Sequence, residues 1–166
     1  LQTYIENPYL LNGLKFDLRI YVLVKSVEPL KVFVFREGLA RFATKQYEKP
    51  SDSNLDDQFV HLTNYSINKK ADNFEENHDY EINRNQNLDD KTKFSHKQSA
   101  AQIIKQIENK EKAKKGVVWE QIDGIVAKTI IAAHPHLVSK KHKSDINGNT
   151  FQNLGFDILI DSSLKA

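Results

Sequence analysis

Cysteine is absent from this chain of 166 residues, and so is methionine. Without thiols there is no disulfide framework and no thiolate metal site, and the six histidines lack zinc-ligand spacing. No apolar run reaches the roughly 18 residues that a membrane-spanning helix needs, and no signal-peptide pattern opens the chain. Neither sign of charge dominates: the formal net charge is +2, which argues for neither a nucleic-acid nor a membrane partner. An intracellular, reducing setting is the expectation. The chain starts at Leu1 and stops at Ala166, a few residues past an apolar strand, so it reads as an internal piece of a longer protein.

What is present suffices for a core: 39% of residues are hydrophobic and 10% aromatic, the composition of one folded domain or part of one. Charge is unevenly placed. From Glu48 to Asp90 there are eleven acidic and four basic residues, and from Lys105 to Lys143 nine basic and four acidic. The basic half is either a solvated surface or a face for an acidic partner.

Leu18–Ser26 and Lys31–Phe35 are rich in β-branched and aromatic residues and flank the turn Val27-Glu28-Pro29-Leu30, predicting a hairpin. Leu39–Ala43 extends it to a small antiparallel sheet. Residues 69–93, dominated by asparagine and acids, read as a mobile loop or insertion. Ala100, Ala101, Ile103, Ile104 and Ile107 predict one helix, with Gly116 as a break. Val118, Ile122, Ile125, Val126, Thr129, Ile130 and Ala133 predict a second, ended by Pro135. Leu154–Asp161 alternates as a strand carrying carboxylates. Strands, loop, helices and strand in this order make a mixed α/β (α+β) domain.

Chemistry concentrates in few places. Extended backbone puts Lys15, Asp17 and Arg19 on one face, opposite Phe16, Leu18 and Ile20. Such a row suits a polyphosphate, with Asp17 orienting Lys15 or meeting a nucleotide sugar; an exposed face with a surface ion pair is the other reading. Arg41, between small and apolar neighbours, suits a two-pronged grip on a substrate carboxylate or a structural salt bridge. His61-Leu62-Thr63-Asn64-Tyr65-Ser66 packs five hydrogen-bonding residues into six, as a ligand loop or as capping and turn chemistry. Asp157, mid-strand among apolar residues, points to Mg²⁺ coordination or to a buried pair with a local lysine. Asp161, before Ser162-Ser163, reads as a turn residue, and His134-Pro135-His136 as a structural turn.

Taken in order, KFDLRIYVLV, EGLARFAT, HLTNYSINK and LGFDILID resemble the tubulin tyrosine ligase-like family, and more closely its polyglutamylases. The resemblance covers nearly all of the chain outside the asparagine-rich loop. It implies an ATP-grasp fold, of which this chain would supply part of the central and C-terminal lobes. It also implies a ligase that uses ATP and Mg²⁺ to join glutamate to side chains on the acidic tails of tubulin, in a cytoplasmic, microtubule-bound setting that includes the cilium or basal body. In such enzymes ATP phosphorylates a carboxylate, and the amine of the incoming glutamate displaces phosphate.

Carried over residue by residue, the resemblance gives Gln2, Tyr4 and Ile5 an adenine-lining role, with Thr3 where a basic residue is common. Lys15, Asp17, Thr63 and Asn64 match ATP contacts. Arg41, Tyr65 and Lys93 match residues holding the incoming glutamate, Arg19 a catalytic position on the same wall, and Asp157 one Mg²⁺ ligand. The family's following strand, with a Glu-Val-Asn motif for the remaining metal ligands, lies beyond Ala166, so the fragment alone is expected to be inactive. Glycine or tyrosine as the added amino acid, another acceptor protein, or non-catalytic microtubule binding through the basic half are the alternatives.

Overall fold

A computed structural model of the chain describes residues 3–76, 94–140 and 151–166. Gln2, Lys93 and most of the predicted loop therefore lie outside the described residues.

The organising element is the long strand β2 (Leu14–Val27). Its alternate residues Phe16, Leu18, Ile20, Val22 and Val24 are all buried, as period-two alternation requires of a strand with one covered face. Four strands pair with it, all antiparallel: β1 (Leu10–Leu11), β3 (Leu30–Val34), β4 (Leu39–Phe42) and β6 (Gln152–Ile158). Leu18 faces Ala40 of β4 on one edge and Ile158 of β6 on the other, so β2 is interior to the sheet. A three-residue strand, β5 (Lys97–Ser99), extends the sheet beyond β4. The predicted hairpin is β2–β3, and its turn contains a cis Glu28–Pro29 bond.

Between β4 and β5 lie two single-turn helices, α1 (Gln58–His61) and α2 (Tyr65–Asn68). They carry the motif that begins at His61. The start of the predicted loop is tied down: Phe74 stacks on His96, with ring centroids 5.4 Å apart.

Two longer helices cover the apolar face of the sheet. In α3 (Ala100–Lys110), Ser99 caps the first turn by accepting from the Gln102 amide, and Ile103, Ile104 and Ile107 are buried. In α4 (Val117–Lys140), Val118, Ile122, Val126 and Ile130 are buried at spacings of four, whereas Thr129 faces solvent. The buried Glu108 accepts from the amides of Gly116 and Val118, so its carboxylate satisfies otherwise unpaired donors where α4 begins.

The expectation that Pro135 ends this helix is overturned, because α4 runs through it to Lys140. The proline withholds one donor, that to the Ile131 carbonyl, at a turn where Ile131, Pro135 and His136 are all exposed and solvent can take its place. His134 also donates from Nε2 to the Val27 carbonyl at 2.9 Å, pinning this turn to the end of β2. That contact gives His134 a structural role, but inside the helix rather than in the structural turn expected of His134-Pro135-His136.

Gly38 holds the turn into β4 at φ +145, and a Cβ there would stand 2.4 Å from the Arg19 carbonyl oxygen. Only glycine allows this approach. The turn thus sets how Arg19 on β2 lies against the start of β4.

Candidate functional site

The face of β2 opposite its apolar one presents Lys15, Asp17, Arg19 and Tyr21, the first two buried and the others half-buried, and strand register decides what each meets. Asp17 lies opposite Arg41 of β4, and Arg19 opposite Asp157 of β6. Arg41 donates from Nε to Asp17 at 2.8 Å and bonds the other Asp17 oxygen through Nη2. The same Nη2 lies 2.8 Å from Asp157 Oδ1. Arg19 completes the row, donating from Nε to Asp157 Oδ1 at 2.5 Å and from Nη2 to Oδ2 at 3.2 Å. Two acids and two arginines therefore alternate across three strands.

This geometry revises three expectations. Asp17 is buried, at 4% exposure, but its partner is Arg41 rather than Lys15. Arg41 spends its two-pronged Nε and Nη2 edge on Asp17, and among the described residues no acceptor takes its Nη1. A substrate carboxylate therefore has Nη1 to meet, not the whole fork. Asp157 is half-exposed on the open face and paired with two arginines, not buried beside a lysine. Burial works to raise its pKa, yet the hydrogen bond from Arg19 and the charges of Arg41 and Arg19 together hold it below the usual carboxylate range.

Lys15 behaves differently. It is 5% exposed, and its ammonium donates to the Tyr4 hydroxyl at 3.0 Å and to the His61 carbonyl at 2.9 Å. It also lies 4.3 Å from the centroid of the Tyr4 ring. None of the ion pairs among the described residues involves it. Burial lowers its pKa, partly offset by the charge of Asp17. The Tyr4 hydroxyl lies 2.9 Å from His61 Nδ1, and burial raises its pKa. Lys15, Tyr4 and the start of the motif loop thus form one cluster around a cation with no ion-pair partner among the described residues.

That loop is anchored by Asn68, at 1% exposure. Its Oδ1 accepts from the amide and hydroxyl of Thr44, at 3.0 and 2.9 Å, and its Nδ2 donates to the carbonyls of Leu62 and Asn64, at 2.8 and 3.2 Å. One amide clips residues 62–64 to the end of β4. Asn64 stands at the N-cap position of α2, but its side chain makes no cap bond, so capping does not account for it. Asn68→Asp keeps the shape and the oxygen that accepts from Thr44 while losing both donated bonds and burying a charge. We expect it to destabilise the domain by about 2–4 kcal/mol, read as a lowered unfolding midpoint of the full-length protein.

A cavity of about 190 Å³ opens beside the charged row, and its lining includes Arg19, Arg41, Thr63, Tyr65, Asn68 and Lys97. Four of these were expected from the sequence; Asn68 and Lys97 were not. Lys97 lies opposite Arg41 in the β4–β5 register and pairs with Glu76 at 3.2 Å. Nothing in the sequence marks it, because the pairing depends on a three-residue strand more than 50 positions away. The Tyr65 hydroxyl donates to Glu76 at 3.0 Å, which raises its pKa. Ile5 and Asn64 are not among the lining residues.

The arrangement offers a buried ammonium, two arginines, an ionised and accessible carboxylate and a cavity lined by both cationic and aromatic side chains within one sheet face. Among the described residues no three acids, histidines or cysteines gather as a self-sufficient metal site. Asp157 is instead suited to contribute one oxygen ligand to a cation shared with a bound phosphate.

Known proteins are similar to this chain over nearly all of its length. A human protein named tubulin polyglutamylase TTLL6 is 43% identical over 99% of this chain and 17% of its own length. A Tetrahymena thermophila protein named probable beta-tubulin polyglutamylase is 38% identical over 99% of this chain and 13% of its own length. A human protein named tubulin polyglutamylase TTLL13 is 41% identical over 99% of this chain and 19% of its own length. The chain thus spans less than a fifth of each of these relatives. All of residues 1–166 match the tubulin-tyrosine ligase family, and the chain belongs to that family.

Proposed function

We propose that this chain is part of the catalytic domain of an ATP-dependent ligase that adds glutamate to glutamate side chains on tubulin tails. The observation that carries the reading is Lys15: a buried ammonium held by a hydroxyl and a carbonyl, with no carboxylate paired to it among the described residues. A charge so placed calls for an anion from outside. The mixed α/β sheet matches the ATP-grasp-like class of the family, whose ligases depend on ATP.

In this reading Lys15 takes a phosphate oxygen of the nucleotide, and Tyr4, Ile5 and Gln2 line the adenine. Asp17, Thr63 and Asn64 complete the nucleotide contacts. Asp157 gives one ligand to Mg²⁺, its ionised state being maintained by Arg19 and Arg41. Arg41, Tyr65 and Lys93 receive the incoming glutamate, and Arg19 stabilises charge on the reacting groups. Bound ATP and Mg²⁺ supply the leaving group and the charge neutralisation that amide-bond formation needs. The relatives named as tubulin polyglutamylases support glutamate and tubulin as substrates, and microtubules as the place of action.

The test is to incubate the full-length protein with ATP and labelled glutamate, adding intact tubulin or tubulin stripped of its acidic tails. Incorporation is expected only with ATP and intact tails. Incorporation that ignores the tails would move the acceptor to another protein, and none at all would remove the ligase reading.

A further inference from the structure

Arg19 pairs across the strands with Asp157, and the next β6 residue on the same face is Gly155, which lies opposite Tyr21. The arm of Arg19 crosses diagonally over this glycine. A Cβ on Gly155 would stand 3.0 Å from Arg19 Cδ, 3.0 Å from Nη1 and 3.4 Å from Cζ. Its three nearest heavy atoms thus all belong to Arg19, and two stand well inside the roughly 3.5–4.0 Å of favourable carbon contact.

The backbone does not explain the glycine. Gly155 sits in a regular antiparallel ladder and is not among the glycines with positive φ, which are Gly13, Gly38 and Gly116. In such a strand glycine is normally a loss, since it packs nothing and is freer in the unfolded chain. What its missing side chain gains is room for one arginine.

We infer that Gly155 is a positioning residue: it lets Arg19 settle against β6 so that Nε and Nη2 meet both oxygens of Asp157. The inference rests on the proposed roles of Arg19 and Asp157 in the ligase. A methyl group at residue 155 pushes the Arg19 side chain back by a few tenths of an ångström and loosens the two-pronged bond, leaving the strand pairing intact. Arg19 then holds the carboxylate, and itself at the reacting groups, less closely in place.

The experiment compares wild type, Gly155→Ala, Arg19→Ala and the double variant in the full-length protein. For G155A we expect glutamate transfer to slow about 3- to 10-fold, since a misplacement of a full ångström can cost about 100-fold and this one is smaller. Its unfolding midpoint should stay within about 2 °C, because alanine lowers unfolded-state entropy while the exposed ion pair contributes little. In the R19A background G155A should slow transfer no further. An activity-free readout is phenylglyoxal labelling followed by peptide mass spectrometry: Arg19 should label several-fold faster in G155A, with Arg36 unchanged as the internal reference.

Unchanged Arg19 labelling, an equal loss of rate in the R19A background, or a midpoint lowered by more than about 5 °C would each overturn the inference. Wild-type protein that transfers no glutamate, with Arg19 labelling still raised by G155A, would sink the ligase reading and leave the positioning role standing.

Discussion

Arg41→Ala in the full-length protein is expected to cut glutamate transfer at least about 100-fold and to destabilise this domain by about 3–5 kcal/mol. The second effect follows from Asp17, which at 4% exposure would lose both of its charged hydrogen bonds and be left as a buried, unpaired carboxylate. Loss of activity alone would therefore not separate a substrate contact from a structural one. Arg41→Lys makes the separation. It keeps a cation beside Asp17, and with it most of the stability, but has no Nη1 to offer an incoming carboxylate. The KM for glutamate should rise about tenfold or more while ATP affinity changes little. If R41K leaves that KM unchanged, Arg41 is a structural arginine and the glutamate is held elsewhere.

Lys15→Met should push stability and function in opposite directions. Methionine fills much the same volume and removes the cost of holding an unpaired ammonium in a buried place, so stability should rise. The Tyr4 hydroxyl and the His61 carbonyl each lose a donor, which offsets part of that gain. Nucleotide binding loses a charge-assisted hydrogen bond of about 1.5–3 kcal/mol, a 10- to 150-fold weaker Kd for ATP. Calorimetric titration of ATP into wild type and K15M, with thermal unfolding of both, tests the two signs together. Unaltered ATP affinity would mean that Lys15 serves the fold, and the observation on which the proposed function rests would be lost.

Where local pattern decides structure, the sequence was readable. Alternation from Lys15 to Ile20 marks the apolar face of β2 that packs into the core, and the isoleucine spacing from Ile103 to Ile107 marks the inward face of α3. Pairing across distance was not readable. By sequence Asp17 orients Lys15, two positions away on the same face, or meets a nucleotide sugar, but the register sets it opposite Arg41 and leaves Lys15 to Tyr4 and His61. The same limit hid β5, too short to show a period, and with it the place of Lys97 in the cavity. Asn68 was part of a quoted motif yet passed unnoticed, because its four bonds go to residues that become its neighbours only once the loop closes. Pro135 misled because the penalty for a proline inside a helix depends on whether solvent reaches the vacated carbonyl, and that is set by packing.

The long strand β2 also fixes when the site comes into being. Asp17 meets Arg41 after only 24 further residues, whereas Arg19 meets Asp157 138 residues later. On the ribosome the first pair can form while β6 is still unmade, and one edge of β2 then waits with its amides and carbonyls unclaimed. A chain interrupted before residue 152 would hold half of the charged row and an open strand edge able to pair with its neighbours. The nascent protein is thus most prone to aggregate in the interval just before Asp157 reaches the sheet.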